Sequence, residues 1–351
     1  MASDPRHSWR VGRTLAALAS CCLLIGLSAC AGTHFPQSTL HPEADASLLM
    51  DHLFTHIFAW AVFVFVVVEG LLIYTVIRFR ARPDSPEPKP VHGHTVIEIA
   101  WTLAPAIILV FIAVPTIRTI FKVDGAAPPG AMQVEVIGHQ WWWEFKYPGL
   151  GVVTANELHL PVNKSVHLSL QSADVIHSFW VPRLSGKRDV FPGDHVNHLE
   201  ITPDSVGTYL GQCAEFCGES HANMRFRVMV QDSADFAAWV ADQQTAHAPI
   251  DSSNAEILAG YKAFTKIRNP ASNSCIVCHT IKGISAGVIG PNLTHVGSRT
   301  TIAGGTLPFT PAGITTWLSD PPAAKPGSKM PNIGLTPDEI RGLIAFLQSM
   351  K

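Results

Sequence analysis

The chain has 351 residues, which is enough for two folded domains and additional segments. Apolar residues make up 47% and charged residues only 15%, a balance that favours a chain partly embedded in a membrane. The formal net charge of −2 argues against a nucleic-acid-binding protein, so we expect a membrane and no nucleic acid among the partners.

The N-terminus has the pattern of an export signal. Arginines precede an apolar run at residues 15–29, which is too short to span a bilayer comfortably. The run ends in Leu27-Ser28-Ala29-Cys30, which resembles the lipobox of bacterial lipoproteins. We expect a signal peptide over residues 1–29, cleavage before Cys30 and acylation of its thiol. Ordinary cleavage or an uncleaved anchor is the alternative.

Two long apolar runs follow an outer segment at residues 30–48. Leu53–Ile77 and Val96–Ile117 are each long enough for a transmembrane helix, which predicts a hairpin over residues 49–122. The loop between the runs carries four basic residues, Arg78, Arg80, Arg82 and Lys89. Because basic loops stay in the cytoplasm, both ends of the hairpin should face outward from a bacterial inner membrane.

Short alternating runs replace the long apolar runs between residues 123 and 244. Apolar and polar residues alternate at 133–136, 165–170 and 224–230, with Gly, Pro and Asn between these runs. A period of two with frequent turn residues predicts an all-β sandwich or barrel.

This region contains a candidate metal site. Its residues are His177, Cys213, Cys217, His221 and Met224. Two thiolates, two imidazoles and a thioether form a soft ligand set, which favours copper, and methionine is a poor zinc ligand. A disulfide between the two cysteines is the alternative, but it would leave the histidine and methionine spacing unexplained. Two cysteines one turn apart can bridge two copper ions that share one transferred electron.

A polar linker at residues 245–254 leads into a second region, residues 255–351. Residues 255–267 have a helical pattern, and a capping-type Thr336-Pro-Asp-Glu339 begins a predicted closing helix. Between them, Cys275-x-x-Cys278-His279 matches the signature for covalent c-type haem attachment. The alternative, a thioredoxin-like redox pair, lacks the βαβ pattern around it.

The second region resembles the class I cytochromes c. Gly290 followed by Pro291-Asn292-Leu293 is similar to the stretch that supports the haem in that family. The resemblance implies that His279 and Met330 are the axial iron ligands, a pairing that raises the haem potential. A thioether packed in the core is the alternative for Met330.

The motif C-x-E-x-C-x3-H-x2-M, with a histidine upstream, resembles the CuA site of cytochrome c oxidase subunit II. The resemblance implies a dinuclear copper centre held by His177, Cys213, Glu215, Cys217, His221 and Met224. In that family the cysteines bridge the coppers, each histidine binds one copper and the methionine is a weak ligand. Glu215 would contribute its backbone carbonyl, and its side chain would bind a magnesium ion shared with subunit I.

The resemblance extends beyond the metal motif. His139-Gln-Trp141-Trp-Trp143 is similar to the aromatic segment whose first tryptophan, Trp141, receives the electrons. Glu98-Ile-Ala-Trp-Thr-Leu-Ala-Pro105 is similar to the second-helix motif, which places Glu98 at the entrance of a proton channel. The implied architecture is a two-helix transmembrane hairpin, an all-β cupredoxin-like Greek-key barrel and an all-α cytochrome c domain.

The family resemblance implies subunit II of a proton-pumping cytochrome c oxidase. Electrons from cytochrome c or another periplasmic donor would pass through haem c and copper to subunit I, in a complex that includes subunit III. Oxygen would be reduced in subunit I, so no catalytic residue is expected in this chain. Alternatives are an electron-feeding subunit of another reductase, a copper-delivery lipoprotein and a quinol oxidase subunit. The haem and the complete copper ligand set argue against the last two.

The two outer regions differ in charge. Residues 251–351 contain nine Lys and Arg against five Asp and Glu, whereas residues 123–250 contain seven basic and fourteen acidic residues. Opposite charges accelerate encounter, and a tether raises the effective concentration of one region around the other. We therefore expect the basic haem region to dock on the acidic copper region near Trp141.

Overall fold

A computed structural model describes residues 20–21, 35–82, 87, 90, 92–247 and 249–351 of the chain. Cys30 and almost all of the predicted signal peptide lie outside these residues. Cleavage and acylation at Cys30 therefore stay predictions.

Two helices form the hairpin, α1 (Asp45–Arg78) and α2 (Thr95–Val123). Both are long and apolar enough to cross a membrane, judged by length and composition alone. Most of their large apolar side chains are exposed, as expected for lipid-facing or partner-facing surfaces. The helices contact each other where Trp60 stacks on Phe111, with ring centroids 5.7 Å apart.

Helix α1 begins well before the apolar run that predicted it. The Asp45 carboxylate accepts a hydrogen bond from the backbone N–H of Thr202 (2.9 Å), and the Ser47 hydroxyl donates to the Arg183 carbonyl (2.9 Å). Ala44, just before the helix, is fully buried. These polar contacts extend the helix because its first turn is fixed to the domain that follows α2.

That domain contains ten strands and one helix, and it is called the β domain below. The strands are β1 (Met132–His139), β2 (Trp142–Tyr147), β3 (Val152–Ala155), β4 (Glu157–Pro161), β5 (Val166–Ser172), β6 (His177–Trp180), β7 (Arg188–Val190), β8 (Asn197–Ile201), β9 (Gly207–Cys213) and β10 (Arg225–Gln231). One sheet has the order β3-β2-β1-β5-β8 and the other β4-β10-β9-β6-β7. Pairs β1–β5 and β4–β10 are parallel, and the other paired strands are antiparallel.

The core of the β domain lies between the two sheets. Trp143 and Phe145 from one sheet meet Phe179 and Phe226 from the other, and all four side chains are at most 1% exposed. The rings of Phe179 and Phe226 stack with centroids 4.6 Å apart, and Trp143 packs edge-on against Phe179 at 5.6 Å. Alternation along each strand directs these side chains inward, so the predicted sandwich is confirmed.

The β domain ends in helix α3 (Ser233–Gln244), which is absent from the predicted elements. Asp232 caps it by accepting hydrogen bonds from the N–H groups of Ala234 and Asp235, both at 2.9 Å. Trp239 attaches the helix to the sandwich because its ring stacks on His159 at 4.1 Å. The rest of the helix consists mainly of alanine and polar residues, which gives it a weak apolar period in the sequence.

The C-terminal part of the chain is mainly helical and is called the helical domain below. Its helices are α4 (Ala255–Thr265), α5 (Cys275–Cys278), α6 (Pro311–Ser319), α7 (Pro321–Ala324) and α8 (Pro337–Ser349). Two small antiparallel pairs join β11 (Thr280–Ile281) to β12 (Ser285–Ala286) and β13 (Thr301–Ile302) to β14 (Leu307–Pro308). The predicted first and last helices are both present, although α4 ends at Thr265.

Helices α4 and α8 form the main packing contact of the helical domain. Gly260 and Gly342 lie opposite each other, and a Cβ atom at Gly260 would collide with the backbone of Gly342. Phe264 and Phe346 fill the adjacent core, with ring centroids 5.6 Å apart. Thr336 and Glu339 form the expected capping box at the start of α8. The predicted fold class, a hairpin followed by an all-β and an all-α domain, is confirmed.

Candidate metal centre

The predicted copper residues converge at one end of the β domain. The group formed by His177, Cys213, Cys217, His221 and Met224 is called the cluster below. Strand β9 ends at Cys213, and β10 begins directly after Met224. The loop between the strands folds back so that Cys217 Sγ lies 3.7 Å from Cys213 Sγ and 3.8 Å from Met224 Sδ. All three side chains are at most 5% exposed. A sulfur–sulfur bond is about 2.05 Å long, so the cysteines are two separate thiols and not the alternative disulfide.

The two histidines lie at opposite ends of the thiol pair. His177, at the start of β6, has Nδ1 3.9 Å from Cys213 Sγ. His221, in a short 3-10 turn, has Nδ1 3.6 Å from Cys217 Sγ. Hydrogen bonds to the Cys217 thiol and to His177 lower the pKa of Cys213 below that of a free thiol, although burial opposes this. A thiolate with an imidazole at each end of the pair can bind soft metal ions.

Asp174 orients one of these histidines and was missed in the sequence. Its Oδ1 lies 2.9 Å from His177 Nε2, which leaves Nδ1 directed at Cys213. The backbone N–H of Gln140 donates to Asp174 Oδ2 (2.7 Å) and holds the carboxylate in place. Burial alone would lower the pKa of His177, but its hydrogen bonds to Asp174 and Cys213 raise it overall. The spacing Asp-x-x-His was the available signal.

Glu215 contributes its backbone and its side chain in different places. Its carbonyl oxygen lies 3.2 Å from Cys213 Sγ, beside the cluster, whereas its side chain is exposed. Within the described residues, the only group of three or more His, Cys, Asp or Glu able to share a metal is His177, Cys213 and Cys217. The chain therefore shows no magnesium site of its own around Glu215 in this part of the structure.

Trp141 links the cluster to the helical domain. The indole N–H donates to the Cys217 carbonyl (3.0 Å), and the ring is only 9% exposed. On the other side, Lys325 Nζ donates to the Trp141 carbonyl at 2.5 Å. Gly327 lies against the indole, where a Cβ atom would be 2.9 Å from the ring. Lys325 was not predicted, and its local sequence carries no signal for this contact.

The helical domain contains a cavity of about 430 Å3 that faces Trp141. Its wall carries the four residues predicted to hold the haem, Cys275, Cys278, His279 and Met330. The lining is mostly apolar, with Phe264 and Leu343 among its side chains, and Trp141 closes one side. The cavity is therefore bounded by both domains.

His279 is held in one orientation. Its Nδ1 lies 2.9 Å from the Pro291 carbonyl, which leaves Nε2 available as a ligand atom. Gly290 packs against the imidazole, where a Cβ atom would lie 2.7 Å from the ring. Burial lowers the pKa of His279 and keeps the imidazole neutral, as metal ligation requires.

Glu98 belongs to neither group of site residues. It is in the first turn of α2, where its Oε1 accepts a hydrogen bond from the backbone N–H of His94 (3.2 Å). This position is next to the polar loop between the two hairpin helices. The structure therefore places Glu98 at one end of the hairpin.

The residues present fit both predicted cofactors. The sulfur and nitrogen atoms of the cluster form a soft donor set that suits copper. The cavity combines an apolar lining with two thiols, an oriented imidazole and a thioether, the set that a covalently attached haem uses. These features define a membrane-anchored electron-transfer protein.

Family models match three parts of the chain. Residues 35–119 match the transmembrane domain of cytochrome c oxidase subunit II, residues 151–231 match its periplasmic domain, and residues 258–351 match cytochrome c.

Named relatives agree with these matches. Cytochrome c oxidase subunit 2 of Alkalihalophilus pseudofirmus is 34% identical over 339 residues, which is 94% of this chain and 95% of that protein. The protein of the same name from Bacillus sp. (strain PS3) is 36% identical over 78% of this chain and 80% of its own length. The periplasmic domain of subunit II of Bradyrhizobium japonicum cytochrome oxidase is 30% identical over 34% of this chain and 97% of that structure, with a TM-score of 0.33. The chain belongs to the cytochrome c oxidase subunit II family, and it carries an additional cytochrome c domain.

Proposed function

We propose that this chain is the electron-transfer subunit of a proton-pumping cytochrome c oxidase. Electrons from an external donor enter at the helical domain, cross to the β domain and leave for subunit I, where oxygen is reduced to water. The position of Trp141 supports this order. Its indole donates to Cys217 in the loop between β9 and β10, and its carbonyl contacts the helical domain.

We assign the metal ligands by the atoms that converge in each site. The dinuclear copper centre would be held by His177, Cys213, Glu215 (through its carbonyl), Cys217, His221 and Met224. The haem would be attached through Cys275 and Cys278, with His279 and Met330 as its axial ligands. When bound, the two cofactors supply one-electron redox couples.

The protein contributes rigidity and the exclusion of water. The thiols of the cluster are buried next to the sandwich core, so their positions are set by packing. Asp174 fixes the ring of His177, and the Pro291 carbonyl fixes the ring of His279. A donor set that moves little on oxidation favours fast electron transfer.

The remaining assignments concern the membrane and the partners. The hairpin would lie in the bacterial inner membrane with the β and helical domains in the periplasm, and a lipid on Cys30 would add a second anchor. Subunits I and III would contact the hairpin, and Glu98 would lie at the cytoplasmic end, where protons enter. The exposed side chain of Glu215 would bind magnesium together with subunit I. Cytochrome c is the proposed donor. The proposed domain boundaries are residues 123–244 and 255–351.

The decisive experiment compares two neighbouring tryptophans in the purified oxidase complex. The wild type should show two coppers per chain, a mixed-valence copper signal and a low-spin haem c. Trp141→Phe should slow electron transfer from the helical domain to the β domain by about tenfold or more while both spectra stay unchanged.

Trp142→Phe is the matched control. The ring of Trp142 stacks on His139 at 4.2 Å, whereas the bond to the Cys217 carbonyl comes from Trp141. The transfer rate of Trp142→Phe should equal that of the wild type. A wild type without the mixed-valence signal would overturn the copper assignment, and a normal rate in Trp141→Phe would overturn the role of Trp141.

A further inference from the structure

The β and helical domains also meet at a buried carboxylate. Glu157 is the first residue of β4 and is only 2% exposed. Its Oε1 accepts four hydrogen bonds from the helical domain, all from two consecutive residues. The N–H and hydroxyl of Thr300 donate at 2.8 and 2.6 Å, and those of Thr301 donate at 3.0 and 3.1 Å.

This contact is chemically specific. A buried carboxylate is unfavourable unless hydrogen bonds or a cation replace the water it loses, and bonds to an ionised acceptor are about twice as strong as neutral ones. The four donors to Glu157 Oε1 come from a segment 143 and 144 residues further along the chain. Arg227 of the β domain donates to the Thr300 hydroxyl (3.1 Å), so a cation completes the arrangement. The segment around Thr300 therefore matches this carboxylate in its hydrogen-bonding geometry.

A second group of contacts continues from Glu157 toward Trp141. The backbone N–H of Arg225 donates to the Gly304 carbonyl (2.9 Å). Lys325, which is 4% exposed, donates to the carbonyls of Trp141 and Ala303 at 2.5 and 3.1 Å. The contacts at Glu157 and at Lys325 are separate points on one surface, and two such points restrict rotation of one domain on the other.

We propose that Glu157 is a positioning residue that locks the helical domain onto the β domain in a single orientation. The lock keeps Trp141 covered, so an external donor reaches the β domain only through the helical domain. This inference rests on the proposed function for its consequence, since it concerns the path of the electrons. The lock itself depends only on the contact between two protein surfaces.

The lock predicts a behaviour different from that of a freely tethered domain. A domain on a flexible linker samples many positions at an effective concentration in the millimolar range. A locked domain keeps one position on the β domain, so the rate of electron transfer between the two domains should be insensitive to ionic strength and to added viscogen. Loss of Glu157 should convert the locked domain into the tethered one.

The experiment measures amide hydrogen exchange in the purified oxidase complex. In the wild type, the N–H groups of Thr300 and Thr301 should be protected, because both donate to Glu157. Glu157→Ala should accelerate their exchange at least tenfold and slow transfer from the helical to the β domain by a similar factor. Glu157→Gln keeps an acceptor oxygen but loses the charge. Its exchange and transfer rates should lie between those of the wild type and those of Glu157→Ala.

Two further variants complete the test. Glu135→Ala removes an exposed carboxylate from β1 and should leave both exchange and transfer unchanged. The double variant Thr300→Val with Thr301→Val removes two of the four donors from the helical side without touching the β domain. It should reproduce the Glu157→Ala phenotype in weaker form, even if Glu157→Ala fails to fold.

Unchanged protection in both Glu157→Ala and the double valine variant would overturn the lock. Accelerated exchange with an unaltered transfer rate would overturn Glu157 as a positioning residue for electron transfer. Absence of the copper or haem spectra in the wild type would overturn the proposed function instead. The exchange measurement separates these cases because it does not depend on electron transfer.

Discussion

The metal cluster of the β domain and the cavity of the helical domain hold their donor atoms in different ways. In the cluster, sulfur and nitrogen atoms of neighbouring residues already lie within 3.6 to 3.9 Å of one another. In the helical domain, the corresponding residues line the wall of a cavity of about 430 Å3. A metal ion needs only a few converging atoms, whereas a haem is itself a large apolar body.

This difference shows how each domain obtains its rigidity. The cluster is built on strand ends, and the sandwich core beneath it contains Trp143, Phe179 and Phe226. The helical domain has a smaller core around Phe264 and Phe346, next to the cavity. We therefore expect the cluster to depend on the packing of the protein and the helical domain to depend on its cofactor.

The largest expected effect comes from removing one of the two thiols that we assign to copper. Cys217→Ser should abolish the copper signal and reduce oxygen consumption by more than about a hundredfold, because a hydroxyl is a much poorer copper ligand than a thiolate. Electron paramagnetic resonance and oxygen uptake measure the two losses. The haem spectrum of the same variant should be unchanged, and a retained copper signal would contradict the ligand assignment.

The matching change in the helical domain is Met330→Leu. Loss of the thioether should lower the haem potential by on the order of 0.1 V, since methionine ligation raises it. A redox titration followed by absorbance measures the shift, and the copper signal should not change. Met350→Leu is the control, because Met350 is a buried core residue of the same domain at 1% exposure. An equal shift in both variants would show that Met330 is only a core thioether.

Core substitutions test the difference in rigidity. Trp143→Leu should destabilise the β domain by about 3 kcal/mol, because it removes most of a fully buried ring beneath the cluster. Thermal unfolding followed through the copper absorbance measures the change. Phe346→Leu should affect unfolding of the helical domain alone. If Trp143→Leu left the copper transition unmoved, the cluster would not depend on the sandwich core.

The smallest effect concerns the cap of α8. The Thr336 N–H donates to Glu339 (3.0 Å), and with Lys266 and Arg268 it lowers the pKa of Glu339 to about 2. Because this pKa is lower in the folded state than the ordinary 4.5, the stabilisation is complete above pH 4.5 and is lost as the pH falls toward 2.

Glu339→Gln should therefore destabilise the helical domain by about 1 kcal/mol at neutral pH, and the difference should shrink below pH 4.5. Thermal unfolding of the full chain at several pH values, followed through the haem absorbance, measures it. Asp338→Asn, in the same turn with a side chain 87% exposed, should change little. A difference that stayed constant down to pH 3 would rule out the ionised carboxylate as its source.

The sequence alone was sufficient for features that depend on neighbouring residues. The hairpin followed from two apolar runs, the β domain from alternation, and the candidate sites from motifs such as Cys275-x-x-Cys278-His279. In such motifs the ligands are separated by a few residues, so a single local turn brings them together. The boundaries of α1 and the presence of α3 were harder to predict from the sequence, because they depend more on polar contacts than on apolar periodicity.

Only the tertiary structure revealed the contacts between distant segments. The bond that holds the Asp174 carboxylate comes from Gln140, 34 positions earlier, and the contact of Lys325 with Trp141 joins residues 184 positions apart. The bonds from Thr300 and Thr301 to Glu157 span a similar distance along the chain. No local pattern encodes these pairs, because they form only after strand register has placed one partner and the seating of the helical domain has placed the other.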